Sequence, residues 1–140
     1  MTEVPGWGRL MGRPVTTVRV SAPVQAVMEE LAGAARAERM RVAVQDGGST
    51  VQLRDWSAVL GALLGLVGGS GGGMTSSVVT VRATGGPDGT TATLTVDPRD
   101  SLRFRRRALA TLQRWVDQME HRGAAVQIEP WRDGFLDGTP

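Results

Sequence analysis

"SVVTVRATGGPDGTTATLTV", residues 77–96, decides the fold class. Its two arms, Ser77 to Thr84 and Thr90 to Val96, are rich in valine and threonine and are joined by GGPDG. β-Branched side chains suit a pleated strand, and a glycine-flanked Pro-Asp supplies the tight turn, so the stretch reads as a β-hairpin. Directly behind it comes "DSLRFRRRALATLQRWVDQMEHRG", residues 100–123. There Asp100 is placed to cap a helix, residues 101 to 121 or 122 form it, and Gly123 closes it as the residue after its C-cap. A hairpin followed by a long amphipathic helix is an α+β signature.

The pattern repeats upstream. Val15 to Val20 (VTTVRV) alternates, with Val18 and Val20 on one face, and predicts a strand. Ser21-Ala22-Pro23 then opens a helix predicted over about 22–39. Its inward stripe is Val24, Val27, Met28, Leu31, Ala34 and Ala35, while Glu29, Glu30, Arg36 and Arg39 lie mostly away from it. RVAVQ (41–45) and VQLRD (51–55), joined around DGGS, form a second hairpin with a positive-φ turn. A short strand is expected over Val126 to Glu129. The fold expected is an α+β arrangement with an antiparallel sheet of about five strands. Its order is β-α-β-β-(short apolar helix)-β-β-α, with the long C-terminal helix packed on one sheet face. Residues 1–14 read as an N-terminal tail, 15–123 as one α+β domain, and 124–140 as a C-terminal tail.

At 140 residues the chain can bury roughly two thirds of its unfolded surface as one domain. The pI of about 10.8 suggests a strongly basic protein, but the net charge is only +2. All sixteen basic residues are Arg, and Lys, Tyr and Cys are absent, so nothing buffers the alkaline range and a small excess moves the pI far. A general attraction to phosphate is therefore weak. The lack of cysteine excludes disulfides and thiolate chemistry. No apolar leader precedes the first strand, and the uncharged run from Trp56 to about Gly69 is shorter than a bilayer crossing. A cytoplasmic protein without a transmembrane segment is expected. Arginine in place of lysine, with abundant Ala, Gly and Val, points to a GC-rich bacterial genome.

"VTTVRVSAPVQAVMEEL", "VVTVRATGGPDGTTATLTVDP" and "LRFRRRALATLQRWVDQMEHRG" together resemble, in reduced form, the helix-grip superfamily of START-like and polyketide cyclase-like ligand-binding proteins. They correspond to its first strand and helix start, its late hairpin and its closing helix. The resemblance spans about residues 15 to 123. It implies an apolar cavity between the sheet and the long helix, and no shared catalytic residues. A smaller fold of one strand, a helix, four strands and a final helix fits the strand count more closely.

Catalytic chemistry is sparsely provisioned. There is one histidine, His121, on the last turn of the long helix, where a cation suits the dipole. No GxSxG occurs, a Walker loop would need a lysine, and Asp97 and Asp100 are placed for capping. One His with scattered acids makes no transition-metal set. No catalytic residue, metal or cofactor is therefore assigned, and a non-enzymatic role is expected.

Three binding readings remain. On the long helix Arg105 projects within the apolar side made by Leu109, Leu112, Trp115, Val116 and Met119. A cation there needs a partner, water or a ligand. Arg105, Leu112, Trp115 and Met119 are accordingly the expected ligand-binding residues for a small apolar or amphiphilic ligand. The second reading is a partner or lid surface. SAVLGALLGLV (57–67) can form a short helix on the glycine tether 68–73, with Trp56, Leu60, Leu63, Leu64 and Val67 as contact residues for another protein or a second copy. Trp7 and Trp131, in the two tails, would pin those tails to the domain or help form a homodimer. The third and weakest reading is nucleic-acid binding through a basic stripe of Arg103, Arg107 and Arg114; the sequence carries no strong nucleic-acid signal.

Overall fold

A computed structural model describes residues 2–8, 12–55, 77–96 and 102–134. These form an antiparallel sheet and two helices, in the expected α+β class. The expected short helix within 57–67, and its glycine tether, lie outside the described residues.

The chain opens with β1 (Pro14–Val20) and α1 (Val24–Ala37). The helix begins two residues later than its sequence suggests. Pro23 takes the N-cap position with extended backbone and its carbonyl accepts from the Val27 amide at 3.0 Å. The Ala22 carbonyl is instead engaged by the Thr90 hydroxyl at 2.6 Å, which holds it outside the helix. β2 (Met40–Gln45) and β3 (Thr50–Asp55) follow, joined by a 3-10 turn at Asp46–Gly48. Asp46, Gly47 and Gly48 all have positive φ, as the DGGS motif requires.

β4 (Val78–Gly86) and β5 (Gly89–Val96) form the second hairpin. Gly89 has φ of +130°, and a methyl group there would come within 2.2 Å of the Val20 carbonyl oxygen. The turn can therefore dock on the β1–α1 connection only with glycine at this position. α2 (Leu102–His121) ends as expected. Gly123 has φ of +90°, its amide bonds Glu120 O at 2.9 Å, and the Ala124 amide bonds Met119 O at 3.0 Å. That pair of bonds is a Schellman cap.

Where the sequence reads as about five strands, the described residues form seven. The additions are β6 (Val126–Ile128), anticipated as a short strand, and β7 (Arg132–Asp133). Both pair with β1, giving the order β2-β3-β4-β5-β1-β6 with β7 further along β1. Pro130, which lacks an amide proton, falls between the two short strands.

The register sorts the strand residues cleanly. Val18, Val20, Ala92, Leu94, Val96, Val79, Val81, Val51 and Leu53 share one face and join a single core with the buried sides of both helices. α2 contributes Phe104, Ala108, Leu112, Trp115, Val116 and Met119 to that core. Leu109 is only partly buried and sits beside Gly6. The buried stripe is thus rotated toward Phe104 and Ala108, because α2 packs against α1 as well as against the sheet.

The N-terminal segment is tied to α2. Gln113 accepts from the Val4 amide at 2.8 Å and donates to the Thr2 carbonyl at 2.9 Å. The Thr2 amide and hydroxyl both donate to Glu120, at 2.8 and 2.9 Å. Trp7 and Trp131 are both buried and meet edge to face at 4.9 Å, with the Trp131 indole donating to Pro5 O at 2.7 Å. The two tryptophans thus tie residues near the two ends of the chain to each other.

A candidate binding groove

The expected ligand residues on α2 do not meet a common open space. Leu112, Trp115 and Met119 are buried in the core, and the Trp115 indole donates to Val27 O at 3.0 Å. Arg105 stands seven residues, about 10 Å of helix rise, before Leu112. It is half-buried, and its side chain makes no ion pair or hydrogen bond with another described residue. The basic stripe is similarly divided. Arg103 is exposed, whereas Arg114 is held by Glu38, its Nε and Nη2 donating to Oε1 at 3.0 and 2.9 Å. A second ion pair joins Arg122 to Glu30 across the same helix–helix seam. His121 is exposed at the end of that seam. Trp56, Leu60, Leu63, Leu64 and Val67 lie outside the described residues.

An open groove occurs elsewhere, between α1 and the β2–β3 hairpin, with a volume of about 700 Å³. Its origin is geometric. Sheet strands lie about 4.8 Å apart, while a helix with its side chains spans about 10 Å. Two helices therefore cover roughly four strands, and the strand order leaves β2 at the edge. Exposure rises along the inward-facing positions of β2. Met40 is 1% exposed, Val42 is intermediate, and Val44 reaches 55%. The hairpin thus opens away from α1 toward its glycine turn, like a wedge.

α1 supplies Val24, Met28 and Ala32 to the groove, four residues apart and so on one helix face. Val44 and Val51 line the opposite wall, and Gly47, Gly48 and Ser49 close the turn end. The rim is polar. Gln25 donates to Glu29 at 3.1 Å, and the Arg36 guanidinium, in the last turn of α1, makes no ion pair or hydrogen bond with another described residue. An apolar floor with a cation on its rim suits a molecule with an apolar body and one anionic group. Among the described residues no three His, Asp or Glu side chains converge as a metal site would require.

Sequence periodicity placed Val24 and Met28 on the core side of α1 and Val44 on a hairpin arm, but did not bring them together. The only local signal is the run of inward valines on a strand that later proves to be the edge.

One further electrostatic feature belongs to the N-terminal tie. The hydrogen bonds from the Thr2 backbone amide, and then from its hydroxyl, hold the Glu120 carboxyl below the ordinary glutamate range.

No protein-family model matches the chain, and no curated protein matches it. No helix among the described residues is long and apolar enough to cross a membrane.

Proposed function

We propose that this protein is a small non-enzymatic binding module for an apolar or amphiphilic ligand, held in the groove between α1 and the β2–β3 hairpin. The observation that carries the proposal is the exposure of Val44, at 55%, over a groove with Met28 and Ala32 opposite and Arg36 on its rim. A half-solvated valine on an inward-facing strand position forgoes burial worth about 1 kcal/mol. A ligand tail laid in the groove recovers that burial, and Arg36 receives its anionic group.

The helix-grip resemblance supports the same class of function. The ligand site proposed here differs from the one the resemblance implies. Between sheet and α2 the side chains of Leu112, Trp115 and Met119 pack into the core, and they reach a ligand only if α2 lifts.

Isothermal titration with dodecanoate tests the proposal. Saturable one-to-one binding is expected. Val44→Asp and Arg36→Ala should each weaken it about tenfold or more, equivalent to about 1.4 kcal/mol. Absence of saturable heat, or binding by both variants as tight as that of the wild type, contradicts it.

A further inference from the structure

The face of the sheet turned away from the helices has a different chemistry. Its residues are mostly threonine, glutamine and arginine, and no strand position on it carries a carboxylate, although Asp46 in the β2–β3 turn accepts from the Thr50 hydroxyl of this face at 3.0 Å. Register places five arginines on this face. Arg132 on β7, opposite Val15, lies beside Glu129, and the other four stand apart from it. Arg41 lies directly opposite Arg54, Arg82 is four residues along β4 from the partner of Arg54, and Arg19 lies two strands further across. With about 4.8 Å between strands and about 3.3 Å per residue, Arg54 to Arg82 is about 14 Å and Arg82 to Arg19 about 12 Å. These four arginines therefore follow one diagonal across the sheet, with hydroxyls such as those of Thr80 and Thr93 between them.

Their charges are largely unanswered. The side chains of Arg41, Arg54 and Arg82 make no ion pair or hydrogen bond with another described residue. Arg19 reaches Glu129 at 3.5 Å, but Glu129 also faces Arg132 at 3.7 Å. Like charges directly opposed on neighbouring strands destabilise the pair, so Arg41 and Arg54 oppose folding unless an anion lies over them. The net charge of +2 conceals this face, because the balancing acids lie off its strand positions, as Asp46 and Asp88 in turns and Glu29, Glu30, Asp117 and Glu120 on the helices do.

The geometry points to this face as a docking surface for the phosphodiester backbone of a nucleic acid duplex. A line of cations matches a linear polyanion better than a planar one. Among the described residues Val44 is the exposed large hydrophobic one, and it sits on the opposite face, so the described part of this face offers no such side chain to a bilayer. Guanidinium forks and threonine hydroxyls are phosphate donors. The described strand positions of this face carry no aromatic ring on which unpaired bases could stack, so a duplex is favoured over a single strand, without sequence preference. This surface is separate from the ligand groove and stands independently of it.

Fluorescence anisotropy of the full chain with a mixed-sequence DNA duplex, from about 50 to about 200 mM salt, tests the inference. Four phosphate contacts predict a slope of about −3 to −4 in log K against log salt. A triple variant, Arg41→Gln with Arg54→Gln and Arg82→Gln, should bind about tenfold or more weakly at low salt, with the slope reduced to about −1. These side chains are outside the core, so thermal unfolding should show the variant folded. Arg103→Gln with Arg106→Gln, on α2, should leave binding unchanged. No binding at low salt, or a slope untouched by the triple variant, overturns the inference. Equal or tighter binding to phosphatidylserine vesicles or to polyglutamate also overturns it, in favour of a membrane or an acidic peptide.

Discussion

The indole N–H of Trp115 donates to the main-chain carbonyl of Val27 at 3.0 Å, linking α2 to α1 inside the core. Both residues are fully buried, so the indole N–H has no water to turn to and the bond also fixes how the helices lie together. Trp115→Phe keeps most of the apolar bulk but removes the donor. It should lower stability by about 1–2 kcal/mol, from the lost hydrogen bond and incomplete packing. Urea unfolding measures this; an unchanged midpoint would show that the bond contributes nothing net.

Gly89 makes a sharper demand. A methyl group at this position meets Val20 O at 2.2 Å and Ser21 Cα at 2.9 Å, with φ at +130°. Backbone atoms cannot swing aside as a side-chain tip can, so the β4–β5 turn must lift off the β1–α1 connection. Gly89→Ala should cost about 3 kcal/mol or more. Gly47→Ala, at φ +68° with nothing within 4 Å, should cost only about 1–2 kcal/mol. Equal losses at the two sites would refute the steric argument.

Glu120 gives the fold a dependence on acid. Its folded pKa is depressed by the Thr2 amide and hydroxyl, whereas in the unfolded chain it titrates near about 4.3. A depressed carboxylate contributes stability above the unfolded value, and the contribution is lost as pH falls through the lower folded value. The wild type should therefore exceed Glu120→Gln in stability at neutral pH, and the difference should shrink below about pH 4. A difference that stays constant across that window contradicts the assignment.

Gln113 holds the same segment through both ends of its amide. Gln113→Ala leaves the Thr2 carbonyl and Val4 amide without their partner. Limited proteolysis should then cut residues 2–6 faster, with the core almost unchanged. Unaltered cleavage would show that the tryptophan pair alone secures the segment.

Much of this architecture was legible because it is local. DGGS and Gly123 announce positive-φ backbone, and both positions have it. The valine and threonine alternation of 77–96 corresponds to β4 and β5. What escaped is tertiary. α1 starts at Val24 because Thr90, distant in sequence, takes the Ala22 carbonyl. Helical phase alone put Leu109 and Arg105 within the α2 stripe. Packing against α1 turns Phe104 and Ala108 inward and leaves Arg105 half-buried at the margin. The proposed groove depends on β2 being the edge strand, and no periodicity within residues 40–45 reports strand order.

The most direct measurement is a methyl NMR titration of the full chain with dodecanoate. Val44, Val51 and Met28 line the groove, whereas Leu112 and Met119 report on the core beneath α2. Binding in the groove predicts saturable shifts at the first three methyl-bearing residues and little movement at the last two. Shifts centred on Leu112 and Met119, or none that saturate, would contradict the groove as the binding site.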